Sequence, residues 1–189
     1  LRRGAAHPRL SPATTSSQSG LGCIATGYFG GVEVEQDDLS RPQVRRLLAE
    51  HHEEVHGMPM LDDEVGPSMD GLADPDQTVW SVWRDGHLMG LGTLKELPDG
   101  NGEIESMRTP LEHRGQGVAT FVLKKLLDEA RDRGYHRVSV QTSTRPAFET
   151  ARRLYARHGF VPCGPFADWE DDPQSVFLTL DLMAVQVTS

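Results

Sequence analysis

Two glycines, Gly115 and Gly117, separate a β-like run that ends at Thr109 from a long amphipathic segment that begins at Val118. A strand, a glycine turn and a helix in this order are typical of an α/β chain. Glycine lets the backbone approach a ligand closely, and the first turn of a helix has N–H groups without intrahelical partners. An anion such as a pyrophosphate is the natural ligand at such a helix start.

The remainder of the chain alternates between strand and helix patterns. Three helices are expected: from about Pro42 to Gly57, from Val118 to about Arg133, and from Pro146 to His158. Ser40 is the expected N-cap of the first helix. Asp85-Gly86 predicts a two-residue hairpin turn. Residues 57–76 are expected to form a loop. Strands are expected over residues 32–35, 78–83, 87–94, 103–109, 136–141, 160–163 and 175–182.

Composition limits the domain organisation and the kinds of partner. A chain of 189 residues with 37% hydrophobic residues suffices for one α/β domain, which we place at residues 31–189 after a flexible N-terminal extension, residues 1–30. The net charge of −9 argues against nucleic acid and favours small or cationic partners. Cys23 and Cys163 are too few and too distant in sequence for a disulfide framework. With no apolar run long enough for a membrane span and no signal peptide, we expect a cytoplasmic protein.

Two motifs carry a resemblance to a known family. Arg114, Gly117 and Ala119 fit the pattern Arg/Gln-x-x-Gly-x-Gly/Ala, and the segment from Ala151 through Leu154-Tyr155 to Gly159-Phe160 fits a helix-to-strand corner. In this order the two motifs resemble the GNAT superfamily of acyl-CoA N-acyltransferases, including uncharacterised bacterial members.

The resemblance implies both a fold and a reaction. The fold is of the α/β class (α+β type), with a mixed, mostly antiparallel central sheet of about seven strands, helices on both faces and two splayed central strands. Those strands would be residues 103–109 and 136–141. The reaction is transfer of an acetyl group from the co-substrate acetyl-CoA to a primary amine of a small molecule or peptide, by direct attack.

The resemblance also implies where acetyl-CoA would bind. The Met107 N–H would polarise the thioester carbonyl, the Thr109 backbone would bind pantetheine, and the glycine turn would hold the pyrophosphate. Phe148 stands where many members have an Asn that reaches the pantetheine. The expected cofactor-binding residues are Met107, Arg108, Thr109, Arg114, Gly115, Gln116, Gly117, Val118, Ala119, Thr120 and Phe148.

Three residues are candidates for proton transfer. The family pattern implies that Tyr155 protonates the departing thiolate, whereas a core aromatic with a solvated hydroxyl is the alternative. Glu103 falls where several relatives carry the base that deprotonates the amine, and Glu105 on the same strand face is the second candidate. Period two in the strand places Glu103, Glu105, Met107 and Thr109 on one face.

A competing motif lies on the first helix, where His52-Glu53-Glu54-Val55-His56 matches the zinc pattern His-Glu-x-x-His. It would make the chain a zinc-dependent hydrolase with Glu53 as general base. Because Gly57 and Pro59 end the helix at once and no third ligand is evident, we expect no metal. His51, His52 and His56 would instead border the acceptor pocket or face solvent near the helix end.

The acidic connection from Asp168 to Asp172 allows two interpretations. A solvated loop is the more common fate of a charge run. Alternatively, Asp168, Trp169 and Glu170 receive a cationic acceptor. A non-catalytic acyl-CoA-binding module is a further alternative for the whole chain, and a homodimer is possible in either case.

Overall fold

The computed structural model of the chain describes residues 27–29, 31–56, 62–63, 66–67 and 76–183. Strands β1 to β10 are, in chain order, Gly27–Phe29, Val32–Asp37, Asp62–Asp63, Gly66–Pro67, Gln77–Arg84, His87–Leu97, Asn101–Arg108, Arg137–Ser143, Val161–Pro162 and Ser175–Asp181. Helices α1, α2 and α3 are Pro42–His56, Val118–Asp132 and Glu149–Arg157. Short 3₁₀ turns cover Pro98–Gly100, Leu111–His113 and Pro146–Phe148.

The described part of the chain forms one large sheet of eight strands in the order β1-β2-β5-β6-β7-β8-β10-β9. Every neighbouring pair is antiparallel except β7 and β8, which are parallel. This confirms the expected mostly antiparallel sheet. The additional strand is Gly27–Phe29, which the sequence placed in the flexible extension but which pairs with β2. Residues 1–26 lie outside the described residues.

Side chains on β5 alternate between two buried clusters. Trp80 and Val82 belong to the larger cluster, which α2 and α3 cover, whereas Val79 and Trp83 belong to a smaller cluster with Val44 of α1. Because successive strand residues face opposite sides, α1 lies on one face of the sheet and α2 and α3 lie on the other. The expectation of helices on both faces is therefore confirmed.

Two predicted connections differ in how well they match the structure. Asp85 and Gly86 have φ of 51° and 75°, which is the left-handed conformation that a two-residue hairpin turn requires. Most of the loop expected at residues 57–76 lies outside the described residues, although β3 and β4 pair with each other inside it. None of the described helices is long and apolar enough to cross a membrane.

The parallel strands β7 and β8 stay together for only a short distance. Their register contains three pairs, and the last is Glu103 with Ser139, although β7 has 8 residues and β8 has 7. Beyond Glu103 the two strands separate, so part of the β7 backbone borders a gap in the sheet. The expected splayed central strands are therefore present.

Candidate active site

The strand that borders this gap contains a β-bulge. Gly92 of β6 pairs with Met107 and Leu94 pairs with Ile104, so β7 has one residue more than its partner over this interval. The side chain of Thr93 fills the irregularity, because its Oγ1 accepts a hydrogen bond from the Ser106 N–H at 3.0 Å.

The bulge changes which residues share a strand face. Met107 packs against the larger core cluster on the α2 side, as Ile104 does. The prediction that Met107 lies on the face of Glu103 and Glu105 is therefore wrong, because the extra residue shifts the alternation by one position. Burial and the nearby Arg114 lower the pKa of Arg108, the last residue of β7.

Glu103 is a buried carboxylate at the point where β7 and β8 separate. Its residue is only 3% exposed, and its Oε1 accepts a hydrogen bond of 2.7 Å from the indole Nε1 of Trp169. Burial raises the pKa of Glu103 from 4.5 to about 7, and the negative charge of Glu105 adds to the rise, whereas the Trp169 hydrogen bond and Lys95 lower it. A carboxylate with a pKa near neutrality is suited to accept a proton.

The second carboxylate of the strand has a different environment. Glu105 forms an ion pair with Lys95 of β6 at 3.3 Å, and Gln77 of β5 donates a hydrogen bond to it. Both oxygens of the Glu105 carboxylate therefore have a partner on a neighbouring strand. The structure thus brings both candidate bases to one region but gives them unlike surroundings.

Trp169 reaches Glu103 from the connection between β9 and β10. The backbone N–H of Trp169 donates to the Phe166 carbonyl at 3.1 Å, and this bond closes a turn. The Phe166 ring packs edge-on against Phe177 of β10, with 5.9 Å between the ring centroids. Asp168 and Glu170 on either side are exposed. Sequence reasoning named Trp169 only as a possible acceptor contact; no spacing signal could reveal its bond to Glu103, since 66 residues separate the two.

Tyr155 lies in the last turn of α3 and is buried at 5% exposure. Its hydroxyl donates to the Met107 sulfur at 3.7 Å, and its ring packs against Phe160 with 5.3 Å between centroids. Burial raises the pKa of the Tyr155 hydroxyl, so the phenol keeps its proton at neutral pH. The structure therefore brings Tyr155 to the strand that borders the gap.

The glycine turn has the conformation that the sequence requires of it. Gly115 and Gly117 have φ of 75° and 81°, and a Cβ added to either would meet no atom within 4 Å. Helix α2 begins directly afterwards at Val118, and the Phe121 N–H donates to the Gly117 carbonyl at 3.0 Å. The N–H groups of Val118, Ala119 and Thr120 precede that bond, as in an anion-binding helix start.

The flanks of the turn are held by hydrogen bonds to the chain itself. Arg114 Nε donates to the Thr109 carbonyl at 3.4 Å, and Gln116 Nε2 donates to the Glu112 carbonyl at 3.1 Å. A left-handed backbone, open space and free helical N–H groups fit a pyrophosphate. Of the residues expected to bind acetyl-CoA there, Arg114 to Gly117 are exposed, whereas Val118 is buried in the core.

Phe148 and the histidines of α1 are the other residues that the sequence predicts at the site or as a metal motif. Phe148 is half-buried at the start of α3, with the Arg145 guanidinium 5.1 Å from its ring centroid. On α1, His52 is half-buried and Glu53 is exposed, whereas the side chain of His56 lies outside the described residues. Within the described ranges, no group of three or more His, Cys, Asp or Glu could hold a metal ion.

Comparison with known proteins gives a consistent result. A family model described as "Acetyltransferase (GNAT) family" matches residues 38–160. The uncharacterised N-acetyltransferase YsnE of Bacillus subtilis is 42% identical over 80% of this chain and 100% of its own length. The uncharacterised N-acetyltransferase YedL of Escherichia coli is 40% identical over 79% of this chain and 94% of its own.

A solved structure shares the fold. The crystal structure of a GNAT family acetyltransferase from Elizabethkingia anophelis, with acetyl-CoA bound, has a TM-score of 0.59 at 15% identity. The match covers 82% of this chain and 100% of that protein.

Proposed function

The chain belongs to the GNAT family of acetyltransferases, and we propose that it transfers the acetyl group of acetyl-CoA to a primary amine of a small molecule or peptide by direct attack. Acetyl-CoA-dependent acetyl transfer is the reaction of this family, and the chain is an enzyme of that class. The observation that carries the finer proposal is the buried Glu103, with its raised pKa, at the last residue pair before β7 and β8 separate.

Acetyl-CoA supplies the acetyl group as a thioester when it is bound. The fit of the glycine turn supports a pyrophosphate site over Arg114, Gly115, Gln116, Gly117, Val118, Ala119 and Thr120. The backbone of Met107, Arg108 and Thr109 would hold the remainder of the molecule, and the Met107 N–H would donate to the thioester oxygen. Phe148 would contribute an apolar contact in place of the family's Asn.

Glu103 is the proposed general base. Because its pKa lies near 7, Glu103 is ionised above neutral pH and can accept a proton from an ammonium or amine directly or through one water. Glu105 is the alternative base, and its contacts speak against it, because Lys95 and Gln77 already occupy its carboxylate oxygens and would compete with an amine for them.

Tyr155 is the proposed general acid. Its hydroxyl stays protonated because burial raises its pKa, and it lies against Met107, whose backbone would contact the thioester. Donation of this proton to the leaving sulfur would avoid release of an unsolvated thiolate.

The setting of the reaction follows from the same features. A net charge of −9 and the carboxylates Glu103 and Glu105 favour a cationic acceptor over nucleic acid. We propose one acetyltransferase domain over residues 31–189, extended by the strand Gly27–Phe29 and preceded by an N-terminal extension, in a cytoplasmic protein that can form a homodimer. The family assignment disfavours a zinc hydrolase on His52, Glu53 and His56 and a module without turnover.

An amine screen tests the proposal. The protein is incubated with acetyl-CoA and each member of a library of amino acids, polyamines, aminoglycosides and short peptides, and free CoA is measured with a thiol reagent. We expect at least one amine to release CoA faster than the amine-free reaction, with and without a chelator. If no amine does so while acetyl-CoA binds, the protein is a binding module; loss of amine-dependent release on chelation would revive the metal alternative.

A further inference from the structure

Trp169 covers one side of the buried carboxylate of Glu103. The tryptophan is 37% exposed whereas Glu103 is 3% exposed, and the 2.7 Å bond joins indole Nε1 to carboxylate Oε1. The indole therefore meets solvent with part of its surface while its N–H points inward at the acid. An indole N–H can only donate, so it interacts with the ionised carboxylate more favourably than with the protonated form.

The backbone around Trp169 is held at several points. The turn from Phe166 to Trp169 is closed by a hydrogen bond, and Phe166 is anchored on Phe177 of β10. Ala167 inside the turn has φ of 48°, a left-handed conformation that is unusual for alanine. Farther along, Asp172 accepts hydrogen bonds from the backbone N–H groups of Gln174 and Ser175. The position of the indole thus follows from contacts of the whole connection.

We propose that Trp169 is a positioning residue for Glu103: its indole N–H holds Oε1 and leaves Oε2 as the oxygen that takes a proton from the acceptor amine. This inference rests on the proposed role of Glu103 as base. Trp169 itself transfers no proton.

The other groups that act on Glu103 in the described part of the chain are charged. Glu105 of β7 raises the pKa of Glu103, and Lys95 of β6 lowers it. Trp169 differs from both because it acts through a directed hydrogen bond and carries no charge. Loss of its N–H should raise the pKa of Glu103 and make the orientation of the carboxylate less definite.

Tryptophan NMR tests the contact without any acceptor. The chain has three tryptophans, so the indole N–H region of a ¹⁵N–¹H spectrum is simple. Trp83 is an internal control, because its Nε1 donates to the uncharged Ser81 Oγ at 2.8 Å. On titration of the full chain we expect the Trp169 indole signal to shift with a midpoint near pH 7 and the Trp83 signal to stay constant. Glu103→Gln should abolish the Trp169 transition.

Matched substitutions test the effect on the base. Trp169→Phe keeps an aromatic ring and removes the N–H, so the midpoint of the Glu103 carboxyl ¹³C signal should rise by about one pH unit. Trp83→Phe, the control, should leave that midpoint unchanged. With an amine from the screen, Trp169→Phe should move the acidic limb of kcat/KM upward by the same amount and leave the KM for acetyl-CoA unchanged.

The outcomes separate this inference from the proposed function. The positioning role is wrong if the Trp169 signal titrates in Glu103→Gln as it does in the parent. It is also wrong if Trp169→Phe changes neither the Glu103 midpoint nor the acidic limb. Either result leaves the proposed acetyl transfer intact. An acidic limb that persists unchanged in Glu103→Gln overturns Glu103 as base, even if the indole signal reports its ionisation. The titration of the parent protein remains decisive if Trp169→Phe does not fold.

Discussion

The hydroxyl of Tyr155 donates to the sulfur of Met107 at 3.7 Å, which joins the last turn of α3 to the bulged strand β7. A thioether sulfur is a weak acceptor, so the Tyr155 hydroxyl can exchange this bond for one to a stronger acceptor when a ligand binds. The pair therefore defines where a phenolic proton is available, beside the backbone proposed to contact the thioester.

Tyr155→Phe should lower amine-dependent CoA release by about 10²- to 10⁴-fold, the typical contribution of a positioned proton donor. The ring and its packing against Phe160 remain, so acetyl-CoA affinity by calorimetry and the melting temperature should be nearly unchanged. Because burial raises the pKa of Tyr155, no basic limb from this group is expected near neutral pH. Parental activity in the variant would assign the proton to water or another group.

Glu103→Gln should lower the rate and remove the acidic limb that the raised pKa of Glu103 predicts near pH 7 for the parent enzyme. The amide keeps the size of the side chain and can still accept from Trp169, but it cannot take up a proton. The matched control is Glu105→Gln, which should keep the limb, with a pH–rate profile of kcat/KM as the measurement. The reverse pattern would make Glu105 the base.

The same substitution should stabilise the protein at high pH. A folded-state pKa raised from 4.5 to about 7 means that the Glu103 contribution is fully favourable below pH 4.5 and is lost as pH rises through 7. Above pH 7, burial of the ionised form costs up to about 3 kcal/mol. Glu103→Gln should therefore raise the urea midpoint at pH 8 much more than at pH 5. An equal gain at both pH values would contradict the raised pKa.

Gly117→Asp should weaken acetyl-CoA binding at least tenfold, because it places a side chain and a negative charge beside the proposed pyrophosphate site. The matched control is Gly134→Asp just beyond the other end of α2, where φ is 74° and an added Cβ also meets no atom within 4 Å. Both variants strain the backbone alike, so calorimetry on the folded proteins isolates the effect at the binding site. Equal acetyl-CoA affinities in the two variants would show that the pyrophosphate does not bind beside Gly117.

Thr93→Val should destabilise the fold by about 1 to 3 kcal/mol, because the Ser106 N–H would lose its acceptor in the β-bulge. If the bulge sets the backbone that contacts the thioester, the KM for acetyl-CoA should rise as well. Thermal unfolding and steady-state kinetics measure the two effects. A stability loss with an unchanged KM would restrict the bulge to a structural role.

Local patterns in the sequence are sufficient to predict most helices and strands and the conformation of the glycine turn. The alternation at Val79 to Trp83, the Asp85-Gly86 turn and the apolar face of α2 each follow from nearest neighbours in the chain. The positive φ at Gly115 and Gly117 likewise needs no knowledge of the rest of the fold.

Features that depend on distant contacts were not predictable in this way. The bulge at Ser106 requires the Thr93 hydroxyl of a neighbouring strand, and it moved Met107 to the other face of the sheet. The raised pKa of Glu103 depends on burial and on Trp169, which is 66 residues away. An alternating strand pattern does not predict where an extra residue forms a bulge, and the spacing of residues along the chain does not predict a hydrogen bond between distant residues.

The early separation of β7 from β8 also has a consequence for solubility. Beyond Glu103, β7 has no register with β8 in the described part of the chain, so the sheet contains an internal strand edge of the kind that recruits foreign strands. Arg108 and Pro110 follow on this edge, and a charge and a missing N–H are features by which natural edges resist self-association. A ligand in the gap would cap the same edge, so retention of the ligand would protect the protein against aggregation.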